Sequence, residues 1–445
     1  MSGDAGPRAS TLAEAVGDGV ALALGVVCLL AIPHDVRGDG WPRFEAIDGW
    51  LRHGVLHSPR YSVVGPVFAI PLYLLGLALG SPASACAWFN VVLLLLFLLL
   101  VWRELRSRVS PAALRALLLL LVFASMFPSH VQFFYGEVLT TVTVSLGILL
   151  LSRRSARAGF AWIGLGALNT PASLLGVALV AGAYARSARR LRYLLVPVLL
   201  FALSRLEGRL TRGSWWATGY EGDGGGPPSV LPYEGLPGFS YPLAFGVLSL
   251  LLSFGKGLFF FAPGILFGVR SPPSLRRAQH LLLLFVVGLV LAYARWWSWQ
   301  GGWFWGPRFL LIASVPSALA LALALEHPRR HPLPYNAALL GATVLAFWVG
   351  VNGLVFDTTG LGFCEKARTL EALCLYVPEL SVLWHPFVDF ASTVPPAGRP
   401  LALGVCALWF AVCAYVTRHL VRAVASQGAE LARSWVGRTA GRWRL

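Results

Sequence analysis

Apolar and polar positions follow one another along this chain in long blocks. Apolar runs of about 17–25 residues recur from one end to the other, each long enough to cross roughly 30 Å of hydrocarbon as a helix. The pattern predicts about twelve membrane-spanning helices. They cover residues 19–33, 85–101, 114–127, 138–151, 160–168, 173–184, 194–206, 241–267, 281–294, 309–325, 335–355 and 401–417.

One more apolar stretch, residues 61–79, does not fit a crossing. It contains Pro66 and Pro71 together with Gly65 and Gly76, which suit a continuous helix poorly. If the N-terminus and the first arginine-rich turn both lie in the cytoplasm, only one further crossing fits between the first run and that turn. We therefore predict a helix here that lies in the outer membrane interface or dips into it.

Arginine is concentrated in the turns between these runs, and the positive-inside rule assigns such turns to the cytoplasm. They lie at residues 103–115, 153–157, 186–192, 270–277, 329–330 and 418–444. The outer connections are then residues 34–79, 128–137, 207–240, 295–308 and 356–400. The sequence thus predicts one all-α, polytopic membrane bundle over residues 1–417 and a basic cytoplasmic tail over residues 418–445.

The composition excludes a water-soluble globule. Hydrophobic residues make up 57% of the 445 positions and charged residues 13%, and the mean hydropathy is +0.68. That leaves too little polar material to cover a surface. The net charge of +16 could suggest nucleic acid. Because the arginines stand between apolar runs, membrane orientation explains it better, and we expect no nucleic-acid partner.

The cysteines and the N-terminus change this picture little. The six cysteines show no metal-ligand spacing, although Cys364 and Cys374 share one outer loop and could form a disulfide bond there. The first 18 residues lack the basic segment and cleavage site of a secretory signal, so we expect the first apolar run to be retained.

Carboxylates are scarce, and their largest group lies in the polar interval of residues 34–60, with Asp35, Asp39, Glu45 and Asp48. Asp39 is the strongest candidate for a proton acceptor. Its flanking glycines expose the side chain, and loss of water beside neighbouring aromatic residues could raise its pKa. The alternative is an ordinary solvated loop acid.

Two other charged side chains stand where apolar runs begin or are interrupted. Glu137, at the start of a run, either faces a cavity or partner, or is a rim residue that helps to begin the helix. Lys256, in the motif FGKG, is one of two lysines in the chain. It either extends toward the interface or meets an anion, and the flanking glycines favour the anion.

The segment ARWWSWQGGWFWGPRFLL, residues 294–311, places five of the seventeen tryptophans between Arg295 and Arg308. Interfacial tryptophans usually anchor a protein at the membrane surface. Anchoring does not need the glycines and Pro307, which indicate a tight turn. Arginine forks bind phosphate oxygens well. Cations on the outer side, against the positive-inside tendency, therefore indicate an anionic, lipid-linked substrate.

These segments, taken in order, resemble the GT-C superfamily of membrane glycosyltransferases. This superfamily includes the bacterial relatives of protein O-mannosyltransferases and of the lipid A aminoarabinose transferase. The likeness is carried by GDGWPRFEAIDGWLRHG, SPRYSVVGPVFAIPLYLLG, FFYGEVLTT, GLGALNTPASLL, TGY, GFSYPLAFGVLSLLLSFGKGLFFFAPG and WSWQGGWFWGPRFLL. The chain departs from the commoner pattern in having Gly40 after Asp39, where many members have glutamate. It also has Ser58, Pro59 and Arg60 where relatives often show Lys-Pro-Pro.

The resemblance implies an inverting enzyme of the cytoplasmic membrane, with its site facing outside. It would move a sugar from a polyprenyl-phosphate donor to a saccharide, lipid or protein acceptor. The resemblance allows a divalent metal but makes no cofactor certain, and Gly40 in place of glutamate argues against a metal ligand beside Asp39. By position, Asp39 would be the catalytic base and Glu137 its assistant, while Lys256, Arg295, Arg308 and Arg60 would bind the donor phosphate. We expect the substrate cavity to be lined by Arg43, Tyr61, Tyr135, Trp299, Trp303 and Tyr220.

Two other classes of function remain open. A transporter or flippase of a lipid-linked sugar would also need outer cations and a cavity, but would ordinarily show broken helices and internal repeats, which the sequence pattern does not indicate. A structural or assembly subunit would need neither Asp39 nor Glu137 at an outer rim.

Overall fold

The computed structural model describes residues 11–58, 60–221, 236, 238–267, 272–302, 304–356, 370–394 and 396–442. Over these residues the chain is all-helical, and its one β contact is an isolated bridge between Asp35 and Phe133. Six segments are long and apolar enough to cross a membrane, which indicates a membrane protein. These segments are Leu12–Ala31, Pro82–Leu105, Pro273–Tyr293, Arg308–Glu326, Leu333–Val355 and Pro396–Trp435.

The described α-helices are numbered here in chain order. They are α1 (Leu12–Ala31), α2 (Gly40–His53), α3 (Val64–Ala78), α4 (Pro82–Ala87), α5 (Phe89–Leu105), α6 (Pro111–Phe123), α7 (Phe127–His130), α8 (Glu137–Ser152), α9 (Ala156–Asn169), α10 (Leu174–Ala188), α11 (Leu195–Arg212), α12 (Leu243–Leu252), α13 (Leu258–Phe261), α14 (Pro273–Tyr293), α15 (Ser314–Glu326), α16 (Leu333–Val355), α17 (Glu371–Tyr376), α18 (His385–Val388), α19 (Phe390–Thr393) and α20 (Arg399–Arg442). A 3₁₀ segment, Arg308–Ala313, leads directly into α15.

Helices α6, α8 and α15 form the centre of the bundle, because most of their residues are buried. Helix α8 packs against α5, α9 and α14, and α6 packs against α1, α15 and α16. Small residues allow the closest approaches. A Cβ built on Gly288 of α14 would lie only 2.3 Å from the Cα of Gly176 in α10, so neither position can carry a side chain without moving the helices.

The structure departs from the sequence pattern at three elements. The polar interval after α1 contains a 14-residue helix, α2, that the pattern does not predict. Helix α3 runs unbroken across Pro71, although proline and glycine argued against continuity. The apolar run of residues 241–267 is interrupted, since α12 ends at Leu252 and α13 begins only at Leu258. The charge of Lys256 explains this break, as described below.

The arginine-rich segments identify one end of the bundle. At one end Arg115 of α6 lies 2.6 Å from Asp18, and Arg418 of α20 lies 3.1 Å from Glu14, so arginines of two other helices meet the first half of α1. Helix α1 then crosses the bundle, and Asp39 follows its far end. Asp39 therefore lies at the end opposite to these arginines.

The cysteines take no part in this charge pattern. Cys374 is disulfide-bonded, and Cys364 lies outside the described residues. Four further cysteines, Cys28, Cys86, Cys406 and Cys413, are free thiols.

Candidate functional site

Asp39 stands immediately before α2, at the position that caps the helix N-terminus. An aspartate there usually accepts a hydrogen bond from the first turn of its own helix, but Asp39 makes no such bond. Its Oδ2 instead lies 2.5 Å from Nη1 of Arg308, and the hydroxyl of Tyr61 donates to the same carboxylate. The side chain of Asp39 is 21% exposed, so a molecule from outside the bundle can reach it.

Arg308 lies at the start of the 3₁₀ segment before α15, and its side chain is only 9% exposed. Its Nε donates to the carbonyl oxygen of Gly301 at 2.9 Å, and its Nη1 lies 3.4 Å from Oε1 of Glu137. The ring of Phe304 covers the guanidinium, 3.9 Å from its carbon to the ring centroid. One buried cation thus gathers the two carboxylates that the sequence pattern singles out, Asp39 and Glu137.

This ion pair decides the protonation state of Asp39. The sequence pattern predicts a raised pKa, and that prediction is wrong. Burial does raise the pKa of Asp39, but the charge and hydrogen bond of Arg308, together with the hydrogen bond from Tyr61, outweigh it, and the pKa is lowered. Burial and the nearby charge of Asp39 raise the pKa of Tyr61, so its hydroxyl stays protonated at neutral pH. Asp39 is therefore an ionised acceptor.

Lys256 has a different role from the predicted phosphate contact. It lies in the interval between α12 and α13, is 5% exposed, and donates to the carbonyl oxygens of Gly302, Phe304 and Gly306. An ammonium group has three N–H donors, and all three are used. No donor is left for a phosphate oxygen, so the prediction that Lys256 binds the donor phosphate is corrected here to a structural role.

The tight turn predicted before Arg308 is confirmed. Gly301 and Gly302 both have φ of +74°, and Gly306 has φ of +62°, values that residues with a side chain rarely adopt. The turn exposes its carbonyl oxygens on one side, where the ammonium of Lys256 and the Nε of Arg308 bind them. We refer to Gly301, Gly302 and Gly306 as the glycine turn.

Aromatic and cationic side chains surround Asp39. The guanidinium of Arg43, on α2, lies over the ring of Tyr61 at 4.6 Å, and that of Arg60 lies over the ring of Tyr220 at 5.2 Å. Tyr220 is close enough to Asp39 and to Arg43 for their charges to influence its pKa, which burial raises. Four of the predicted cavity and phosphate residues are thus adjacent to one another.

Tyr135 also belongs to this group, whereas other predicted residues do not. Its ring packs edge-on against Phe304, with centroids 5.1 Å apart. Arg295 is instead exposed, and its Nη2 donates to the carbonyl oxygen of Phe239 at 2.9 Å. Trp299 is 1% exposed and packs against Tyr241 as a core residue. Trp303 lies outside the described residues.

Two buried polar residues near the site are missed by the sequence reasoning. His130 is 3% exposed, and its Nδ1 bonds the carbonyl oxygen of Met126. Asn169 donates from Nδ2 to the carbonyl oxygen of Gly136, at 2.8 Å, which fixes the entry of α8 and hence Glu137. The asparagine that ends the apolar run GLGALN indicates such a residue from sequence alone, because a buried amide needs hydrogen-bond partners.

Nothing in the described part of the chain brings three or more His, Cys, Asp or Glu side chains together as a metal site. A divalent metal therefore stays a prediction.

Comparisons with protein families, curated proteins and solved structures find no match to this chain.

Proposed function

We propose that this protein is an inverting glycosyltransferase of the cytoplasmic membrane. It would transfer a sugar from a polyprenyl-phosphate donor to an acceptor hydroxyl at the outer face. The observation that carries the proposal is the pairing of Asp39 and Glu137 with one buried arginine, Arg308, beside Tyr61. This pairing places a partly exposed proton acceptor, Asp39, next to a cation in a site largely shielded from water.

In this mechanism Asp39 takes the proton from the hydroxyl group of the acceptor substrate. The acceptor oxygen forms a bond to the anomeric carbon as the bond from that carbon to the phosphate oxygen breaks, with inversion. A carboxylate of lowered pKa is a weak base toward a free hydroxyl. The acceptor oxygen becomes acidic as its new bond forms, so the proton moves to Asp39 late in the attack.

The leaving phosphate gains charge in the same step and needs fixed cations. The hydrogen bonds of Arg308 to described residues use Nε and Nη1, which leaves its Nη2 donors for a phosphate oxygen. Arg60, over the ring of Tyr220, is the second candidate. Preorganised donors act more strongly in a site with little water than in solution.

The membrane arrangement belongs to the same proposal. About twelve crossings would be reached if the shorter helices α6 and α8 to α12 span the membrane together with the six long segments. Helix α3 would lie in the outer interface, and Asp39 would face outside because it lies at the end opposite to the arginine-rich turns.

The test is transfer of sugar from a radiolabelled polyprenyl-phosphate donor by the purified protein. Asp39→Asn should reduce transfer at least about a thousandfold, because it removes the proton acceptor but keeps the side-chain shape. Asp35→Asn is the matched control, since Asp35 is exposed in the same loop, and it should transfer at the wild-type rate. Full activity of Asp39→Asn would rule out the mechanism.

A transporter of the same lipid-linked sugar is the second candidate. It is favoured by the interruption between α12 and α13 at Lys256, because transporters often bind their substrate at broken helices. The sequence pattern indicates no broken helix, and the interruption between α12 and α13 contradicts that expectation. A transporter would leave the glycosyl bond intact in the same assay.

A further inference from the structure

Arg43 is a buried cation that the proposed chemistry does not use. It lies on α2, is only 7% exposed, and its Nε and Nη1 are both buried without a hydrogen-bond partner among the described residues. Taking a guanidinium out of water is costly unless its donors are satisfied. Two unsatisfied donors on one buried arginine therefore point to a partner that the described part of the chain does not supply.

The surroundings of Arg43 are shaped to leave its donors open. A Cβ on Gly136 would lie 2.6 Å from Nη2 of Arg43, so that residue could not carry a side chain without crowding the guanidinium, whereas a Cβ on Gly65 would lie in ordinary contact with Nη1, at 3.6 Å. The face of the group is covered by the ring of Tyr61. The Oδ1 of Asn169, 2.6 Å from that same Gly65 position, is also buried and unsatisfied.

The nearby carboxylates do not neutralise Arg43. Asp39 and Glu137 both contact Arg308, at 2.5 and 3.4 Å, and Arg43 makes no ion pair in the described part of the chain. Its charge nevertheless acts on Asp39 and on Tyr220. Arg43 thus belongs to the same group of residues as the proposed base, but the ion pairs of the two carboxylates are made with Arg308 and not with Arg43.

We propose that Arg43 binds the phosphate group of a phosphate ester through its unsatisfied donors. Nε and Nη1 donate in different directions, so they contact different groups of the ligand, and charged arginine donors bind phosphate oxygens well, as they would the oxygens of a carboxylate. Asn169 Oδ1 favours the phosphate ester, because a hydroxyl on the ester or its sugar could donate to that oxygen. The identity of the ester as a polyprenyl phosphate rests on the proposed function, while the phosphate chemistry rests on Arg43 and Asn169 alone.

The experiment measures binding without transfer. Purified protein in detergent is offered radiolabelled polyprenyl phosphate, with inorganic phosphate and uncharged polyprenol as competitors. Arg43→Gln should weaken binding of polyprenyl phosphate at least about tenfold. Arg52→Gln is the matched control, since Arg52 is on the same helix, has a half-exposed side chain and pairs with Asp48, and its binding should stay within about twofold of the wild type.

The competitors separate the sources of phosphate. Competition by inorganic phosphate alone would mean that the site binds the free phosphate ion. Competition by polyprenol alone would mean that only the lipid tail is recognised, and that result would overturn the inference. If Arg43→Gln does not fold, Arg43→Met replaces it, because methionine keeps an apolar stem but has neither the charge nor the N–H donors. Wild-type binding by whichever folded variant is tested would show that Arg43 only packs against its neighbours.

Failure here is distinguishable from failure of the proposed function. If the wild type binds polyprenyl phosphate through Arg43 but leaves the glycosyl bond of the donor intact, the transferase proposal falls and the phosphate site stands. If transfer proceeds normally in Arg43→Gln, the phosphate site falls and the transferase stands.

Discussion

At the scale of single residues, the site is defined by a pair that are 269 positions apart, Asp39 and Arg308. Scarcity of carboxylates was enough to select Asp39 from the sequence, and the outer position of Arg308 was enough to select it as a cation. Their contact was not predictable, because no local pattern links a loop after the first helix to a turn near residue 300. The sign of the pKa shift depends on that contact, which is why the prediction from burial alone was wrong.

The ion pair should make the stability contributed by Asp39 depend on pH. Because the folded pKa of Asp39 is lowered, its contribution is complete above the unfolded value of about 3.9 and is lost as pH falls through the folded pKa. Thermal unfolding at pH 7 should show Asp39→Asn to be less stable than the wild type by about 2 kcal/mol. The difference should narrow below about pH 4.

Asp35→Asn provides the control for this measurement, because Asp35 is exposed and its substitution should leave the unfolding temperature nearly unchanged. A gap between the wild type and Asp39→Asn that stays constant into acid would show that the carboxylate charge is not what stabilises the fold.

At the scale of elements, the part of the site least accessible from sequence was the interruption between α12 and α13. The glycines on either side of Lys256 indicate backbone freedom, which by sequence alone suggests close approach to a ligand. The structure uses that freedom to let the chain leave the helix and bring the ammonium to the carbonyl oxygens of the glycine turn. Helix α2 was missed for a related reason. Its charged residues obscured the apolar spacing of Phe44 and Ile47, which are buried on one face.

Replacing Lys256 should loosen the glycine turn. Lys256→Met keeps the length of the side chain but leaves three carbonyl oxygens without their charged donor, so the free energy of unfolding should fall by about 3 kcal/mol. Hydrogen exchange in peptides that contain Gly302 and Gly306 should become faster, because the turn is no longer held from that side.

Arg295→Met is the matched control, since it removes a cation from the other end of the same Trp-rich segment. Arg295 is exposed, and its bonds to described residues go to the carbonyl oxygen of Phe239, so exchange in the glycine turn should not change. Unaltered exchange there in Lys256→Met would mean that the turn holds its shape without the lysine.

At the scale of the whole molecule, the block pattern was sufficient to predict an all-helical membrane protein but not the number of crossings. Helices α6 and α8, of 13 and 16 residues, are apolar and lie in the centre of the bundle. An apolar run buried by protein and one facing lipid have the same hydropathy, so length and composition alone do not separate them. The arginine-rich turns were more informative, because they mark one end of the bundle whatever the number of crossings.

That charge asymmetry leads to a test of orientation. If the arginine-rich end faces the cytoplasm, a cysteine placed at His53, exposed at the end of α2, should react with a membrane-impermeant thiol reagent in intact cells. A cysteine placed at Ser187, exposed at the end of α10 beside Arg186 and Arg189, should react only after the membrane is permeabilised.

Both substitutions are made in protein whose four free cysteines are replaced by alanine, so that any label reports the new position. Labelling of Ser187→Cys but not of His53→Cys in intact cells would place Asp39 in the cytoplasm, away from an acceptor at the outer face. The transferase proposal would then need a cytoplasmic acceptor. The contact of Asp39 with Arg308 and the open donors of Arg43 would be unaffected, since neither depends on which way the bundle is inserted.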